Sequence, residues 1–339
     1  MLVSVLMSVY KEEEKYLREA IESILNQTYR DFEFIIVGDT PQQDRERMFP
    51  IVEEYAQKDK RIKFYPNEEN IGLPKSLNAG LSHCSGKYIA RMDADDISVA
   101  TRLEKQVAFM ESHSDVLASS AWLELIDEEG KLSGIVCCRK ESPCKIRLDI
   151  LKNTVMGHPV SIFRRIINDE EVRYDESMNY AQDYMLWVWI LQHGDISNIQ
   201  EVLLYYRISS EQISSKHGLK QQQCAQRAQR AAFSKLYGFP IVDTFMEVFS
   251  SITIMNEKDI PEERAMKGFQ DFFGQVKVTR RNYHVLKYIM EVYIEYYRHI
   301  IPKKHYHFLY DINRRNIPLL LISEIDYISH RLLGRNIGG

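Results

Sequence analysis

The first hundred residues alternate between short strand-like segments and stretches with helical spacing. Four segments rich in β-branched and aromatic residues predict strands: VSVLM (3–7), EFIIV (33–37), IKFY (62–65) and KYIARM (87–92). Between them, apolar residues recur three or four positions apart, as at Leu17, Ile21 and Ile24, which is typical of helices packed on one face. This alternation predicts an α/β fold in which a mostly parallel sheet carries helices on both faces.

The carboxyl ends of the four predicted strands are polar or turn-forming. In open α/β sheets, ligands bind in the crevice at the carboxyl ends of the strands. The sequence therefore predicts a ligand crevice bordered by residues 8–10, 38–40, 66–70 and 93–96.

Three aspartates, Asp93, Asp95 and Asp96, lie within four positions at the last of these ends. Carboxylates this close repel one another, and a divalent cation such as Mg²⁺ or Mn²⁺ would relieve the repulsion. Three other interpretations compete with a metal site. A calcium loop starting at Asp93 would need glycine where Ser98 stands. A phosphatase nucleophile loop should follow the first strand rather than the fourth, and a solvated acidic turn without chemistry stays open.

Composition narrows the class of protein. A net charge of −4 over 339 residues gives no reason to expect nucleic acid, whose binders carry a basic excess. Residues 277–339 differ from the rest, with 11 Lys and Arg against 5 Asp and Glu. The five cysteines include the adjacent Cys137 and Cys138, a pattern that favours reduced thiols over a disulfide framework or a zinc site. Because no signal peptide and no long apolar run is found, we expect a cytoplasmic protein, at most peripherally bound to the inner face of the cell membrane.

Four motifs occur in an order that resembles a known family. They are SVYKEEEKYLREAIESILNQTY, IIVGDT, NIGLPKSLNAG and MDADD. Together they are similar to inverting glycosyltransferases of family 2, over about residues 1–235. Within that family the chain most resembles bacterial enzymes that extend lipooligosaccharide, capsule or exopolysaccharide with hexose or N-acetylhexosamine. The resemblance implies a GT-A fold, with a Rossmann-like central sheet, followed here by a C-terminal helical extension.

The resemblance also implies roles for individual residues. Asp93 and Asp95 would hold Mn²⁺ or Mg²⁺, and Asp183 in the AQDYMLW segment would be the catalytic base. Its place at the start of a predicted helix favours the ionised carboxylate through the helix dipole. The acceptor would contact His158 and Trp187, and His217 could support the phosphate or metal. The UDP-sugar donor would be bound by Ser8, Tyr10, Glu12, Asp39, Lys75 and Asp93.

The sequence departs from the family pattern at four positions. Gly38 replaces the first Asp of the usual Asp-Asp-Gly-Ser motif, and Leu77 replaces a common Arg, which leaves Lys75 as a substitute cation for the diphosphate. Gln182 replaces the first acid of a Glu-Asp pair, and Ser209 replaces a frequent His. None of these changes removes the Asp-x-Asp motif or the base.

Three regions are expected along the chain. Residues 1–110 would form the half that binds the nucleotide sugar, 111–215 the acceptor half with the base, and 216–339 a helical region. The last region contains an amphipathic stretch, VLKYIMEVYIEYYRHIIPKK. Such a stripe packs within the chain or in a homodimer, or else lies on a membrane surface.

The sequence therefore predicts a metal-dependent inverting glycosyltransferase. It would move a hexose or N-acetylhexosamine from a UDP-sugar to an oligosaccharide or lipid-linked saccharide in bacterial surface-glycan synthesis. Two alternatives remain open at this point. One is a degenerate member that binds nucleotide sugar or glycan without turnover. The other is a sugar nucleotidyltransferase, although the loop after the first strand, SVYKEEE, lacks the glycines that such an enzyme needs.

Overall fold

The computed structural model describes residues 2–208, 218–255, 257, 260–276, 279 and 281–297. The chain forms two compact units that divide after Ala228.

The first unit is built on a nine-stranded sheet. The order of its strands is β3-β2-β1-β4-β8-β6-β11-β5, with β7 paired to β6. Strands β1 to β4 run parallel, β8 is antiparallel to both β4 and β6, and β11 is parallel to β6. Their bounds are β1 Val3–Val9, β2 Phe32–Gly38, β3 Ile62–Pro66, β4 Tyr88–Met92, β5 Ile97–Ser98, β6 Val116–Ile126, β7 Leu132–Cys137, β8 Ile162–Arg164 and β11 Asp195–Arg207; the pair β9 Ile166–Ile167 and β10 Glu170–Glu171 stands apart.

Helices cover both faces of this sheet and pack against it through their apolar sides. Every residue of β1 and β2 is buried, as expected for parallel strands that are covered on both sides. Helix α3 begins after Gly72, whose φ of +86° suits glycine, and carries Pro74 in its first turn. The helix bounds are α1 Glu14–Leu25, α2 Arg45–Lys58, α3 Leu73–Leu81, α4 Arg102–Ser112, α5 Pro143–Asp149 and α6 Gln182–His193.

The predicted α/β class is confirmed. Each of the four predicted strands is present, and the predicted helical stripe at Leu17, Ile21 and Ile24 is buried on α1. Strand β1 extends two residues beyond the prediction, to Val9, which brings Ser8 inside the sheet.

At the opposite edge of the sheet from the predicted crevice, Glu33 on β2 is only 1% exposed. Its carboxylate accepts hydrogen bonds from the Ser4 hydroxyl (2.7 Å), the Ser85 backbone N–H (2.7 Å) and Lys63 Nζ (2.7 Å). Burial opposes ionisation, but these donors outweigh it and lower the pKa of Glu33 to about 2. The ionised form thus ties the loop before β4 to β1 and β2.

This carboxylate gives a pH-dependent prediction. Because its pKa is depressed from 4.5, the stabilisation is fully present above about pH 4.5 and is lost as the pH falls towards 2. We expect Glu33→Gln to lower the free energy of unfolding by about 3 kcal/mol at pH 7. The difference from wild type should shrink below pH 4.5 in urea titrations. A deficit that stays constant from pH 7 to pH 3 would contradict the assignment.

The second unit is helical. Aromatic rings form its core, with the buried Phe245 and Phe272 stacked at 4.1 Å between ring centroids. The helix Gly218–Ala231 spans the division between the units, and the others are Asp243–Thr253, Glu262–Gln275 and Tyr283–Tyr297. None of the helices in the described ranges combines the length and apolar character needed to cross a bilayer. The stretch from 298 to 304, which contributed to the membrane alternative, lies outside the described residues.

Candidate functional site

Parallel registers bring the predicted crevice residues to one edge of the sheet. Met7 pairs with Met92, Val9 with Gly38, and Gly38 with Pro66. The loops that follow β1, β2, β3 and β4 therefore emerge side by side, as the sequence predicted. These loops carry Tyr10 and Glu12, Asp39, Asn67 and Asn70, and Asp93 and Asp95.

Asp39 organises one side of this edge. It is 3% exposed, and each of its carboxylate oxygens accepts two hydrogen bonds. Oδ1 accepts from Asn67 Nδ2 (2.9 Å) and the Ile71 N–H (2.8 Å). Oδ2 accepts from Asn70 Nδ2 (3.1 Å) and the Gly72 N–H (3.0 Å). In this conformation Asp39 holds the loop 67–72 in front of α3, and the direct contact with uracil remains a prediction.

The other predicted donor-site residues differ in exposure. Tyr10 is 43% exposed, whereas Ser8 is buried. Glu12 accepts the Tyr10 backbone N–H at 2.9 Å, and burial together with the charge of Asp95 raises the pKa of Glu12 to about 8. Lys75 is exposed in the first turn of α3, and no described residue pairs with it.

The three aspartates after β4 divide into two groups. Asp96 is fully buried, and its Oδ1 accepts the Arg207 backbone N–H at 2.9 Å. Asp93, whose side chain is 30% exposed, forms an ion pair with the buried Arg91. Asp95 is half-buried beside it. Asp93 and Asp95 therefore face the crevice, while Asp96 belongs to the interior.

Three fully buried arginines, Arg91, Arg102 and Arg207, neutralise much of this acidic cluster. Arg207 donates from Nε to the Asp95 carbonyl (2.8 Å) and from Nη2 to Glu19 (2.7 Å). Arg102 donates to the Arg91 carbonyl at 2.5 Å. Burial lowers the pKa of Arg102 to about 9, although the charge of Asp96 opposes this. Sequence reasoning missed all three. For Arg91 the available signal was an arginine inside the otherwise apolar strand YIARM.

The arginines do not neutralise the mouth of the crevice completely. Burial, together with the charge of Asp93, raises the pKa of Asp95 to about 6, so the nearby arginines do not cancel the repulsion between Asp93 and Asp95. Among the described residues, no group of three or more His, Cys, Asp or Glu side chains could hold a metal ion by itself. Mg²⁺ is commonly held by one or two carboxylates and completed by substrate phosphates. Asp93 and Asp95 fit that kind of shared site.

Asp183 lies in the first turn of α6, as predicted. Its Oδ2 accepts the Thr154 hydroxyl at 3.2 Å. Burial raises the pKa of Asp183, and hydrogen bonds from the Tyr184 backbone and from Thr154 only partly oppose it. The expectation that the helix start favours ionisation is thus half right, because the backbone donors lower the pKa but burial is the larger effect.

The predicted acceptor residues His158 and Trp187 lie together, but only one approaches the surface. His158 is half-buried, and its Nε2 hydrogen-bonds the Tyr174 hydroxyl at 2.9 Å. Trp187 is fully buried, with its ring centroid 6.2 Å from that of His158. In this structure Trp187 packs behind His158. Burial and the charge of Arg91 hold the pKa of His158 well below its usual value, so the imidazole is neutral.

Two tyrosines are affected by the charges of both the aspartate cluster and Asp183. Burial raises the pKa of the Tyr174 hydroxyl, and the charges of Asp183 and Asp93 add to the effect. Burial and the charges of Asp96, Asp93, Asp95 and Asp183 do the same at Tyr206. Both hydroxyls are therefore within electrostatic range of the candidate metal ligands and of the candidate base.

Asn78 of α3 fixes the backbone at Tyr174. Its Nδ2 donates to the Tyr174 carbonyl (3.0 Å), and its Oδ1 accepts the Tyr174 N–H (2.8 Å), so the side chain pairs with the backbone as a neighbouring strand would. We expect Asn78→Ala to destabilise the first unit by about 1–3 kcal/mol, because two buried backbone groups lose their partners. Thermal or urea unfolding would measure this, with Lys75→Ala on the same helix as the control. A loss no greater than that of the control would contradict this role.

The departures from the family pattern have local explanations. A Cβ at Gly38 would lie 2.8 Å from Phe49 Cε1, so an aspartate does not fit there. Leu77 is fully buried and Gln182 is buried. Ser209 and His217 lie outside the described residues, and the supporting role of His217 remains a prediction.

Comparisons with known proteins agree with this architecture. Residues 4–165 match the family model of glycosyl transferase family 2. An uncharacterized glycosyltransferase of Methanocaldococcus jannaschii, MJ1057, is 41% identical over 208 residues, which cover 61% of this chain and 71% of that protein. The O-antigen biosynthesis glycosyltransferase WbnJ of Escherichia coli is 33% identical over 238 residues, or 69% of this chain and 90% of WbnJ.

Similarity to solved structures supports the same fold. The 1–349 fragment of TarS from S. aureus, crystallised with UDP-GlcNAc, superposes with a TM-score of 0.58 at 18% identity, covering 88% of this chain and 89% of the fragment. The predicted GT-A fold with C-terminal helices is therefore confirmed. With relatives of this identity and coverage, the chain is a glycosyltransferase that belongs to family 2.

Proposed function

We propose that this enzyme transfers a hexose or N-acetylhexosamine from a UDP-sugar to a saccharide acceptor, with inversion and with Mn²⁺ or Mg²⁺. The observation that carries the proposal is the arrangement of carboxylates. Asp93 and Asp95 follow β4 at the carboxyl ends of the parallel strands, Asp183 lies in the first turn of α6, and the charges of both groups act on Tyr174 and Tyr206. Donor activation and acceptor deprotonation need that arrangement.

The metal is assigned to Asp93 and Asp95. Both offer hard oxygen ligands at the mouth of the crevice, where negative charge remains after the buried arginines are counted. A bound divalent cation supplies Lewis-acid stabilisation of the leaving diphosphate. Arg91 and Arg207 hold the two aspartates in place. Arg91 forms an ion pair with Asp93, and Arg207 donates a hydrogen bond to the Asp95 carbonyl.

The donor is assigned to the loops after β1 and β2. The loop 67–72, held by Asp39, and the exposed Tyr10 ring would frame the nucleotide, with Ser8 and Glu12 beside them. Lys75 would reach the diphosphate from the first turn of α3, where its charge has no described partner. The binding of UDP-GlcNAc by TarS favours a UDP-sugar as the donor class.

Asp183 would accept the proton of the attacking acceptor hydroxyl. The hydrogen bond from Thr154 orients its carboxylate through Oδ2. Inversion follows if the hydroxyl attacks the anomeric carbon on the face opposite the diphosphate. His158, neutral and fixed by Tyr174, would line the acceptor side, with Trp187 supporting it from behind.

The acceptor and the cellular setting are proposed from the relatives and the sequence. WbnJ is named for O-antigen biosynthesis, which favours an oligosaccharide or lipid-linked acceptor in surface-glycan synthesis. Residues 1–110 would bind the donor, 111–215 the acceptor, and 216–339 would provide contacts within the chain, in a homodimer or at a membrane. A cytoplasmic enzyme with peripheral membrane contact suits a lipid-linked acceptor.

A panel of UDP-sugars tests the proposal. Each would be scored for release of UDP, with and without Mn²⁺, and for a shift in melting temperature. We expect one sugar to be hydrolysed in a metal-dependent manner and to stabilise the protein. Stabilisation by UDP-sugars without turnover on any acceptor would instead favour the degenerate binding protein. The absence of both hydrolysis and stabilisation would refute the assignment of the donor.

A further inference from the structure

Arg139 carries a guanidinium with no described partner, on a loop whose backbone is held by several hydrogen bonds. The loop after β7 presents three successive backbone carbonyls to side chains of the sheet. The Arg139 carbonyl accepts from Trp122 Nε1 (3.2 Å) and Gln200 Nε2 (3.0 Å). The Lys140 carbonyl accepts from Asn198 Nδ2 (2.8 Å), and the Glu141 carbonyl accepts from the Ser197 hydroxyl (2.8 Å). The backbone at Arg139 is therefore fixed.

The same hydrogen bonds connect this loop to the segment that contacts the candidate base, Asp183. Asn198 is fully buried, and its Nδ2 also donates to the Val155 carbonyl at 3.2 Å. Val155 adjoins Thr154, whose hydroxyl donates to Asp183. The backbone of the Arg139 loop and the segment that contacts Asp183 thus belong to one hydrogen-bonded framework.

The guanidinium of Arg139 remains unpaired within this framework. Its Nε is buried and has no hydrogen-bond partner, and no ion pair joins it to Asp183 or to another described residue. Its positive charge nevertheless lowers the pKa of Asp183, against the larger effect of burial. A buried donor without a partner is costly, and a guanidinium fork matches the two oxygens of a carboxylate or phosphate.

We propose that Arg139 forms a subsite for an oxyanion of the acceptor, a carboxylate or a phosphate, next to the hydroxyl that attacks the donor. This inference rests on the proposed role of Asp183 as the base. The oxyanion would complete the hydrogen bonding of Nε and place the acceptor hydroxyl beside Asp183. A neutral acceptor would leave the guanidinium unpaired. Arg139 is then a specificity-determining residue of the acceptor half.

Binding of three small glycosides tests the proposal without requiring turnover. The probes are methyl β-D-glucoside, methyl β-D-glucuronide and methyl β-D-glucoside 6-phosphate, titrated into full-length protein with UDP and Mn²⁺. We expect wild type to bind a charged probe roughly tenfold to a hundredfold more tightly than the neutral one. The glucuronide and phosphate arms distinguish an acidic sugar from a phosphorylated acceptor.

Three variants assign the preference to Arg139. Arg139→Gln should abolish it, and Arg139→Lys should keep part of it, because the charge remains but the fork is lost. Lys140→Gln removes the adjacent exposed charge and should leave the preference unchanged. Each variant is checked for folding by its UDP-dependent thermal shift. The subsite would be overturned by any of three outcomes: wild type binds all probes equally, wild type binds none of them, or Arg139→Gln keeps the full preference. Metal-dependent hydrolysis of UDP-sugars tests the proposed function separately.

Discussion

Excess EDTA is expected to stop sugar transfer, and added Mn²⁺ or Mg²⁺ is expected to restore it. The physical reason is the charge at the mouth of the crevice, where Asp93 and Asp95 lie together and burial and the charge of Asp93 raise the pKa of Asp95 to about 6. A diphosphate entering this space without a cation would be repelled. UDP should therefore raise the melting temperature only when the metal is present, and release of UDP from the donor should fall to background in the chelator.

Two variants identify the ligands behind this requirement. Asp93→Asn and Asp95→Asn should each weaken activation by Mn²⁺ and cost several kcal/mol of transition-state stabilisation. Glu129→Gln, an exposed carboxylate in the β6–β7 turn, serves as the control and should retain wild-type metal dependence. Full activity in excess EDTA, or unchanged metal activation in both aspartate variants, would refute the assignment.

The fold could be predicted from the sequence because its strongest signals are local. Strands β1 and β2 are buried on both faces, so they read as nearly continuous apolar runs, and the helices between them repeat apolar residues at helical spacing. The crevice could also be placed, since parallel strands end at one edge. Its outline follows from topology and needs no side-chain detail.

The internal chemistry of the site could not be predicted in the same way. Arg207 donates its backbone N–H to Asp96 across 111 positions of sequence, and no local pattern reports such a contact. The three aspartates lie within four positions of sequence, yet one is buried in the interior and two are partly exposed. Likewise, only the structure reveals that Asp39 is saturated by the loop 67–72.

For Trp187, by contrast, a local signal was available. It lies in YMLWVWIL, a segment that is apolar on nearly every face, and a helix of that kind is buried on all sides. The pattern therefore favoured a core position over a sugar platform. No such signal pointed to Arg139, because its proposed role depends on a guanidinium Nε that has no hydrogen-bond partner in the folded structure.

Asp183→Asn is expected to cut transfer by about 10²- to 10⁴-fold while leaving the affinity for UDP nearly unchanged, since the amide keeps the shape of the side chain but cannot accept a proton. Asp169→Asn, at an exposed turn position with φ of +65°, is a matched control and should transfer normally. UDP titration and single-turnover transfer would separate binding from chemistry. Near-normal transfer by a folded Asp183→Asn protein would reassign the base.

The pH profile extends this test to the environment of the base. Because burial raises the pKa of Asp183, and the base must be ionised, transfer should decline on the acid side at a higher pH than an exposed aspartate would give. The Thr154 hydroxyl donates to the carboxylate and lowers its pKa. Thr154→Val should therefore move the acid limb of the profile upward by up to about one pH unit. An acid limb that does not respond to Thr154→Val would mean that another group controls the proton transfer.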